Sequence, residues 1–264
     1  MTITAKHMAI AALVILFVGN NEAATEPGSK VTVLRTPNGG IQPQAVADAK
    51  GALHLIYYKG EAGAGEIFYV RREAGQERFS EPLRVNSQPG SAIAAGTVRG
   101  GQLALGKAGR VHVAWNGSGK SVGMLYARLN DARTAFEDQR DLMQQTDVLD
   151  GGGTVAADDV GNVYVAWHGN VKGKPNETEG TRKVWIVRST DEGKSFSKEA
   201  PANTQPTGVC ACCSTKAFVD SKGNLNLLYR SATAKVNRDI YLLSSKDKGT
   251  SFQSAIVHKW KVPG

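Results

Sequence analysis

Four times along this chain a glycine opens the same alternation, G-x-[LV]-x-[LV]-x-[WY]: Gly51 to Tyr57, Gly109 to Trp115, Gly161 to Trp167 and Gly223 to Tyr229. Apolar residues at every second position bury one face of a β-strand. The glycines lie 58, 52 and 62 residues apart, so the strand belongs to a repeated unit. Each glycine also ends a four-residue turn, at Asp48 to Gly51, Gly106 to Gly109, Asp158 to Gly161 and Asp220 to Gly223. Such a turn before an alternating run signals a hairpin. The chain therefore reads as four copies of one all-β unit.

A second repeat sits downstream. Ser189-Thr190-Asp191-Glu192-Gly193-Lys194-Ser195-Phe196 returns as Ser245-Lys246-Asp247-Lys248-Gly249-Thr250-Ser251-Phe252, each after a short apolar run. Ser and Asp oxygens accept backbone N–H groups within a tight turn, Gly takes positive φ, and Phe restarts the buried face. In the first and second units the turn is expected to have decayed: in the second, Asp131 stands five residues before Phe136, but Arg133 occupies the glycine position.

Four strands per unit follow. The first unit, about 41–88, is expected to hold strands at Pro43–Ala47, Leu53–Tyr58, Ile67–Arg71 and Phe79–Val85. The second, 93–147, holds Gln102–Leu105, Val111–Trp115, Met124–Leu129 and Phe136–Leu142. The third, 150–204, holds Thr154–Ala157, Val163–Trp167, Val184–Arg188 and a strand from Phe196; the fourth, 207–260, holds Lys216–Val219, Leu225–Tyr229, Ile240–Ser244 and Phe252–His258. Four short antiparallel strands in about 50 residues describe a propeller blade.

Upstream of the repeats, residues 1–24 read as a signal peptide. Lys6 and His7 precede an apolar run of eleven, Met8 to Val18, and Ala23 and Ala24 offer a cleavage site. Eleven apolar residues fall short of the ~20 that span a bilayer, so the expectation is a secreted or periplasmic protein without stable membrane insertion. The formal charge of +8 favours acidic partners, but Lys and Arg are scattered in runs no longer than two. A nucleic-acid site would need a concentrated stripe, and none is expected.

The S-x-D-x-G-x-[ST]-F turns on repeated blades resemble the Asp-box (BNR) repeats of the sialidase superfamily, and Pro206 to Cys213 with Asn237 to Tyr241 is similar to secreted bacterial sialidase-like proteins. The resemblance implies a six-bladed β-propeller with the Asp-box turns (Ser189, Asp191, Gly193, Phe196, Ser245, Asp247, Gly249, Phe252) opposite the active face. It implies an exo-α-sialidase acting on terminal acidic sugars, or a non-catalytic glycan- or protein-binding relative. The chain departs from that pattern. Four blades stand where six are expected, which points to a C-terminally incomplete domain over 25–264. Arg35-Thr36-Pro37 replaces the family's Arg-Ile-Pro opening, and the nucleophilic Tyr and its Glu belong to late blades.

Strand direction assigns candidates to one rim. Lys59, Glu61, Asn116, His168 and Arg230 follow the second strands; Gln42, Gln44, Arg99, Asp150 and the cysteines precede or open the first strands. Arg99, Arg230, Arg238 and Lys59 suit a carboxylate, with His168, Asn116 and Gln44 beside them. Asp150 or Glu61 would serve as general acid. Tyr57 and Tyr229 fall on core-facing positions and make poor nucleophiles, and His54 and His112 read as structural. The expected partner is a glycan or another anionic small ligand, with no cofactor and no metal.

Cys210, Cys212 and Cys213 are all the cysteines there are. Export would favour oxidation, and the odd count leaves one thiol over. Three pairings stay open: a local Cys210–Cys213 or Cys212–Cys213 bridge, a bond to a cysteine beyond Gly264, or a soft-metal site with His168. The C-x-x-C…H spacing of the last is lacking, and a disulfide bracing the channel mouth is the expectation.

Overall fold

The computed structural model describes residues 33–261 except 97, 98, 120, 148, 150, 175–177 and 235. The expected signal peptide and Asp150 lie outside the described residues. All strands belong to the unit that begins at Arg35. They form four antiparallel sheets arranged as propeller blades. Blade 1 has β1 (Ile41–Ala47), β2 (Leu53–Glu61), β3 (Ala64–Arg72) and β4 (Leu83–Arg84), hydrogen-bonded in that order. Blade 2 has β5 (Gln102–Leu105), β6 (Val111–Asn116), β7 (Met124–Arg128) and β8 (Arg140–Asp141). Blade 3 begins with a two-residue strand β9 (Thr146–Asp147), then β10 (Thr154–Ala157), β11 (Val163–Val171), β12 (Lys183–Ser189) and β13 (Ala200–Pro201). Blade 4 has β14 (Lys216–Val219), β15 (Leu225–Arg230), β16 (Ile240–Ser245) and β17 (Gln253–His258). The inner strands pack side by side in the order β1, β5, β10, β14.

Between the first two strands of three blades, an Asp side chain does what the sequence predicts. Asp48 Oδ1 accepts the N–H groups of Lys50 and Ala52, both at 2.9 Å, and Asp220 Oδ1 accepts those of Lys222 and Asn224 at the same distance. Asp158 repeats the pattern with Val160 and Asn162. Downstream, Gly193 N–H donates to Ser189 Oγ at 2.9 Å, and Asp191 accepts Ser195 N–H at 2.9 Å and Ser195 Oγ at 2.6 Å. Ser245, Asp247, Gly249 and Ser251 reproduce these bonds. Burial works against the Asp191 charge, but the Ser189, Ser195 and backbone donors outweigh it and hold the carboxyl at about 2.

The corresponding turn of blade 2 has not decayed; it is rebuilt from other residues. Asn130 Oδ1 takes the Thr134 N–H at 3.0 Å, Arg133 itself adopts φ +59°, and Asp131 is released to pair with Arg110 at 2.6 Å. The outer strands are shorter than expected: β4, β8 and β13 have two residues each. In blades 2 and 3 the Phe after the turn packs against the neighbouring blade, Phe136 keeping only an isolated bridge to Leu129 and Phe196 lying outside any strand. Phe196 stands edge-on to Tyr126 with centroids 4.9 Å apart, and Phe136 edge-on to Tyr69 at 5.8 Å.

The core lies between blades. Ile56, Tyr58, Ile67 and Tyr69 of blade 1 pack on Val111, Val113 and Trp115 of blade 2. Tyr126 and Met124 meet Trp167 and Trp185 across the next interface, and Ile186 and Tyr164 meet Leu227 and Tyr229 across the third. His54 and His112 each bond a neighbouring tyrosine, Tyr69 and Tyr126, at 2.7 Å. The flank of blade 4 that faces away from blade 3 carries Phe218, 47% exposed, with half-buried Leu228 and Leu242 on the same face. By repeat register these match Val46, Ile56 and Tyr69, of which Ile56 and Tyr69 are sealed against blade 2.

Candidate functional site

Inner strands run from one end of the assembly to the Asp48, Asp158 and Asp220 turns at the other. The first end, here called the mouth, therefore also holds the β2–β3, β6–β7, β11–β12 and β15–β16 connections. At the channel itself, one register position recurs. Gln44, Gln102, Thr154 and Lys216 pair with Ile56, Ala114, Ala166 and Leu228, the same step of each second strand. All four are polar. Lys216 Nζ reaches Gln44 Oε1 at 3.5 Å and also donates to Gln102 Oε1, so three blades converge on one ammonium. Desolvation there lowers its pKa. Lys216 was not among the sequence candidates, although its register with Gln44 was the signal for it.

Beside this ring, blade 4 assembles a second group. Arg230, at the end of β15, stacks its guanidinium 4.3 Å from the ring centroid of Trp260, which is 50% exposed. The same side chain donates to Arg238 O at 3.3 Å and lies 3.7 Å from Cys213 Sγ. Arg238 pairs with Glu179 at 2.8 Å, and Glu179 in turn accepts the Ala211 N–H at 2.7 Å. Burial opposes the Glu179 charge, yet those two donors prevail and hold its carboxyl below the ordinary range. Trp260 and Glu179 were also missed: one lies after the last predicted strand, the other in a long connection.

The cysteines lie next to Arg230. Cys210 is buried, Cys213 half-buried and Cys212 exposed; all three are free thiols, with Sγ of Cys210 and Cys212 3.5 Å apart. Burial and the two neighbouring thiols push Cys210 up to about 12. Cys210 N–H donates to Arg230 O at 2.9 Å, and the loop turns back through Cys213 N–H to Cys210 O at 3.3 Å.

Two sequence candidates turn out to be buried supports. His168 is fully buried, and its Nε2 bonds Cys213 O at 3.1 Å instead of a sulfur. Asn116 is 3% exposed and donates to Gly151 O at 2.9 Å. The reason is that β11 runs on past Trp167 to Val171, and the segment before β10 folds over both side chains. A Cβ on Gly151 would collide with His168 Nε2 and Cys213 O and lie 2.8 Å from Ala211 O, so this segment is wedged under the cysteine loop. Lys59 and Glu61 are exposed on the β2–β3 hairpin, and Arg99 is half-buried before β5. The structure thus brings Arg230, Arg238 and the cysteines together and sets Gln44 against Lys216, while Lys59 and Glu61 are exposed on the β2–β3 hairpin of blade 1.

At the opposite end the channel widens into a cavity of about 800 Å³ lined largely by Val, Ala and Leu of the inner strands. Among its polar groups, Asp48 meets His54 at 3.3 Å and Arg71 at 3.6 Å.

Each of the seven tyrosines of the chain is buried. Tyr229, nearest the site, shares its hydroxyl with Thr207 Oγ1 at 2.8 Å, and burial pushes the phenol up to about 12. Activation of a tyrosine as nucleophile needs the opposite shift.

No known family and no curated protein matches this chain. Solved structures do. A protein of unknown function from Dyadobacter fermentans superposes with a TM-score of 0.57 at 14% identity, over 82% of this chain and 68% of that one. The Hadza microbial sialidase Hz136 gives 0.54 at 15%, over 82% and 46%. The six-bladed, fucose-recognising lectin of Aleuria aurantia gives 0.52 at 8%, over 81% and 59%. This chain spans about half to two thirds of the length of these structures. At such identities the likeness is one of fold: the chain is built as a β-propeller.

Proposed function

We propose that this protein is a glycan-recognising propeller that takes an acidic sugar at the mouth, on blade 4. The observation that carries the reading is the half-exposed Trp260 stacked on Arg230. An indole face suits the C–H face of a pyranose, and a guanidinium beside it suits a carboxylate. Lys216 adds positive charge at the channel, and Arg238 is held beside Arg230 by its pair with Glu179. The reading is also supported by a sialidase and a fucose lectin among the proteins of this fold, although fold alone does not carry function.

Binding is the reading these four blades support, because every tyrosine among their described residues is in the core. Glu61, the general acid expected on the rim, stands on blade 1, while Arg230 and Trp260 are on blade 4.

The test is calorimetric titration with sialyllactose, glucuronate and matched neutral sugars, alongside turnover of a fluorogenic sialoside. The acidic sugars should bind and the neutral ones should not, without turnover. Trp260→Ala with Arg230→Met should weaken binding by about tenfold or more, the effect of ~1.4 kcal/mol. Equal binding of acidic and neutral sugars, or binding unchanged in the double variant, overturns the reading. Sialoside turnover would replace it with the hydrolytic one.

A further inference from the structure

The cysteine loop at the mouth holds three sulfurs that the glycan reading does not use. The Sγ atoms of Cys210, Cys212 and Cys213 lie within 4.8 Å of one another, with 3.5 Å between the first two. Three thiolates around one ion at ~2.3 Å sit about 3.8–4.0 Å apart, inside that spread. We propose that Cys210, Cys212 and Cys213 form a binding site for a thiophilic d¹⁰ metal ion, Cu(I) or Zn(II).

Four features of the loop argue for it. The backbone is anchored on both sides, Cys210 N–H to Arg230 O, Ala211 N–H to Glu179 and Thr215 N–H to Gly152 O, so the sulfurs converge on a fixed frame. Burial is graded from Cys210 inside to Cys212 outside, which gives an ion an entry path and leaves one coordination position toward solvent. Arg230 lies 3.7 Å from Cys213 Sγ and offsets the charge that three thiolates would gather. His168, the partner the sequence suggested for such a site, is not a ligand; its Nε2 holds the Cys213 carbonyl and so orients the loop. Soft sulfur donors select Cu(I) or Zn(II) over Mg(II) and Ca(II), which take oxygen.

The test uses the full chain, purified with reductant and without oxygen, and titrated with Cu(I) or Zn(II) against a competing chelator. One ion should be retained per chain, and a preference for one metal over the other identifies it. Mg(II) and Ca(II) should not displace it. In the wild-type protein the bound ion should protect the thiols from alkylation, measured by mass. Cys212→Ser exchanges an exposed thiol for a hydroxyl and leaves the fold intact. It should weaken retention by more than the roughly 10–100-fold typical of losing a residue that only supports a ligand, and Arg230→Met should fall within that range. Retention that is equal in a variant with all three cysteines replaced by serine overturns the proposal. So do alkylation rates unchanged by metal, or a native disulfide among these cysteines that reductant does not open.

Discussion

Replacing Gly151 by alanine tests how the mouth is held together. The added methyl would collide with the His168 ring nitrogen and the Cys213 carbonyl, and would lie 2.8 Å from Ala211 O, where ordinary contact begins near 3.4 Å. Two of these atoms are backbone and the third belongs to a ring that is fully buried, so none can swing away. Ala211 O must retreat by about 0.6 Å and the other two by more, or the Asn116 bond to Gly151 O must break. Overpacking of this kind costs about 1–3 kcal/mol. In a folded unit of this size each kcal/mol lowers Tm by about 2–4 °C, so a fall of about 2–12 °C is expected by circular dichroism or scanning calorimetry. Gly63→Ala is the control, because no heavy atom lies within 4 Å of its Cβ position. The displaced loop should also react faster with a thiol reagent at Cys213. A Gly151→Ala protein that melts with the wild type, while Gly63→Ala does too, would refute the claim that this glycine wedges the cysteine loop.

Three further outcomes are expected. Asp191 titrates at about 2 in the fold against an ordinary 3.8, so its stabilisation is complete above 3.8 and lost as pH falls towards 2; urea midpoints of Asp191→Asn should be flatter across that window. His112 is held neutral by burial with a pKa of about 3 against 6.5, and the unfolded chain takes up the proton first, so stability falls as pH drops from 6.5 towards 3; His112→Asn, with Asn226 as its repeat counterpart, should remove that slope. Glu199 is buried and accepts the Gln144 N–H at 2.9 Å, the Thr146 hydroxyl at 2.5 Å and the Gln145 N–H, so Glu199→Ala should cost more than about 3 kcal/mol in chemical denaturation and Glu199→Gln clearly less.

Much of the fold is legible in the sequence because it depends on local rules. The alternation after Gly51, Gly109, Gly161 and Gly223 places four second strands, and the Asp and Ser side chains of the turns in blades 1, 3 and 4 satisfy neighbouring amides. Strand direction then assigns residues to the correct end of the assembly. Burial at that end is not local, so strand direction does not determine it. His168 and Asn116 follow the aromatic of their strands as Arg230 does, yet the first two are covered by the segment before β10 and the third is only half-buried. Blade 2 shows the complementary case. Losing the glycine at Arg133 does not lose the turn, because Asn130 supplies the acceptor and Arg133 tolerates the left-handed backbone. Lys216 and Trp260 escaped because each gains its meaning from partners on other strands.

The open flank of blade 4 makes the chain its own comparison set for mutational tolerance. The same repeat position is occupied by Tyr69 in blade 1, pressed against blade 2, and by Leu242 in blade 4, half-open to solvent. One chemical change made at both places, a lysine for instance, meets the same strand, the same register and a different neighbourhood. Its cost at Tyr69 includes burying an unpaired charge, and its cost at Leu242 does not. Substitutions accepted at Leu228 and Leu242 but rejected at Ile56 and Tyr69 would therefore measure what one blade contributes to its neighbour, free of what a side chain contributes to its own sheet.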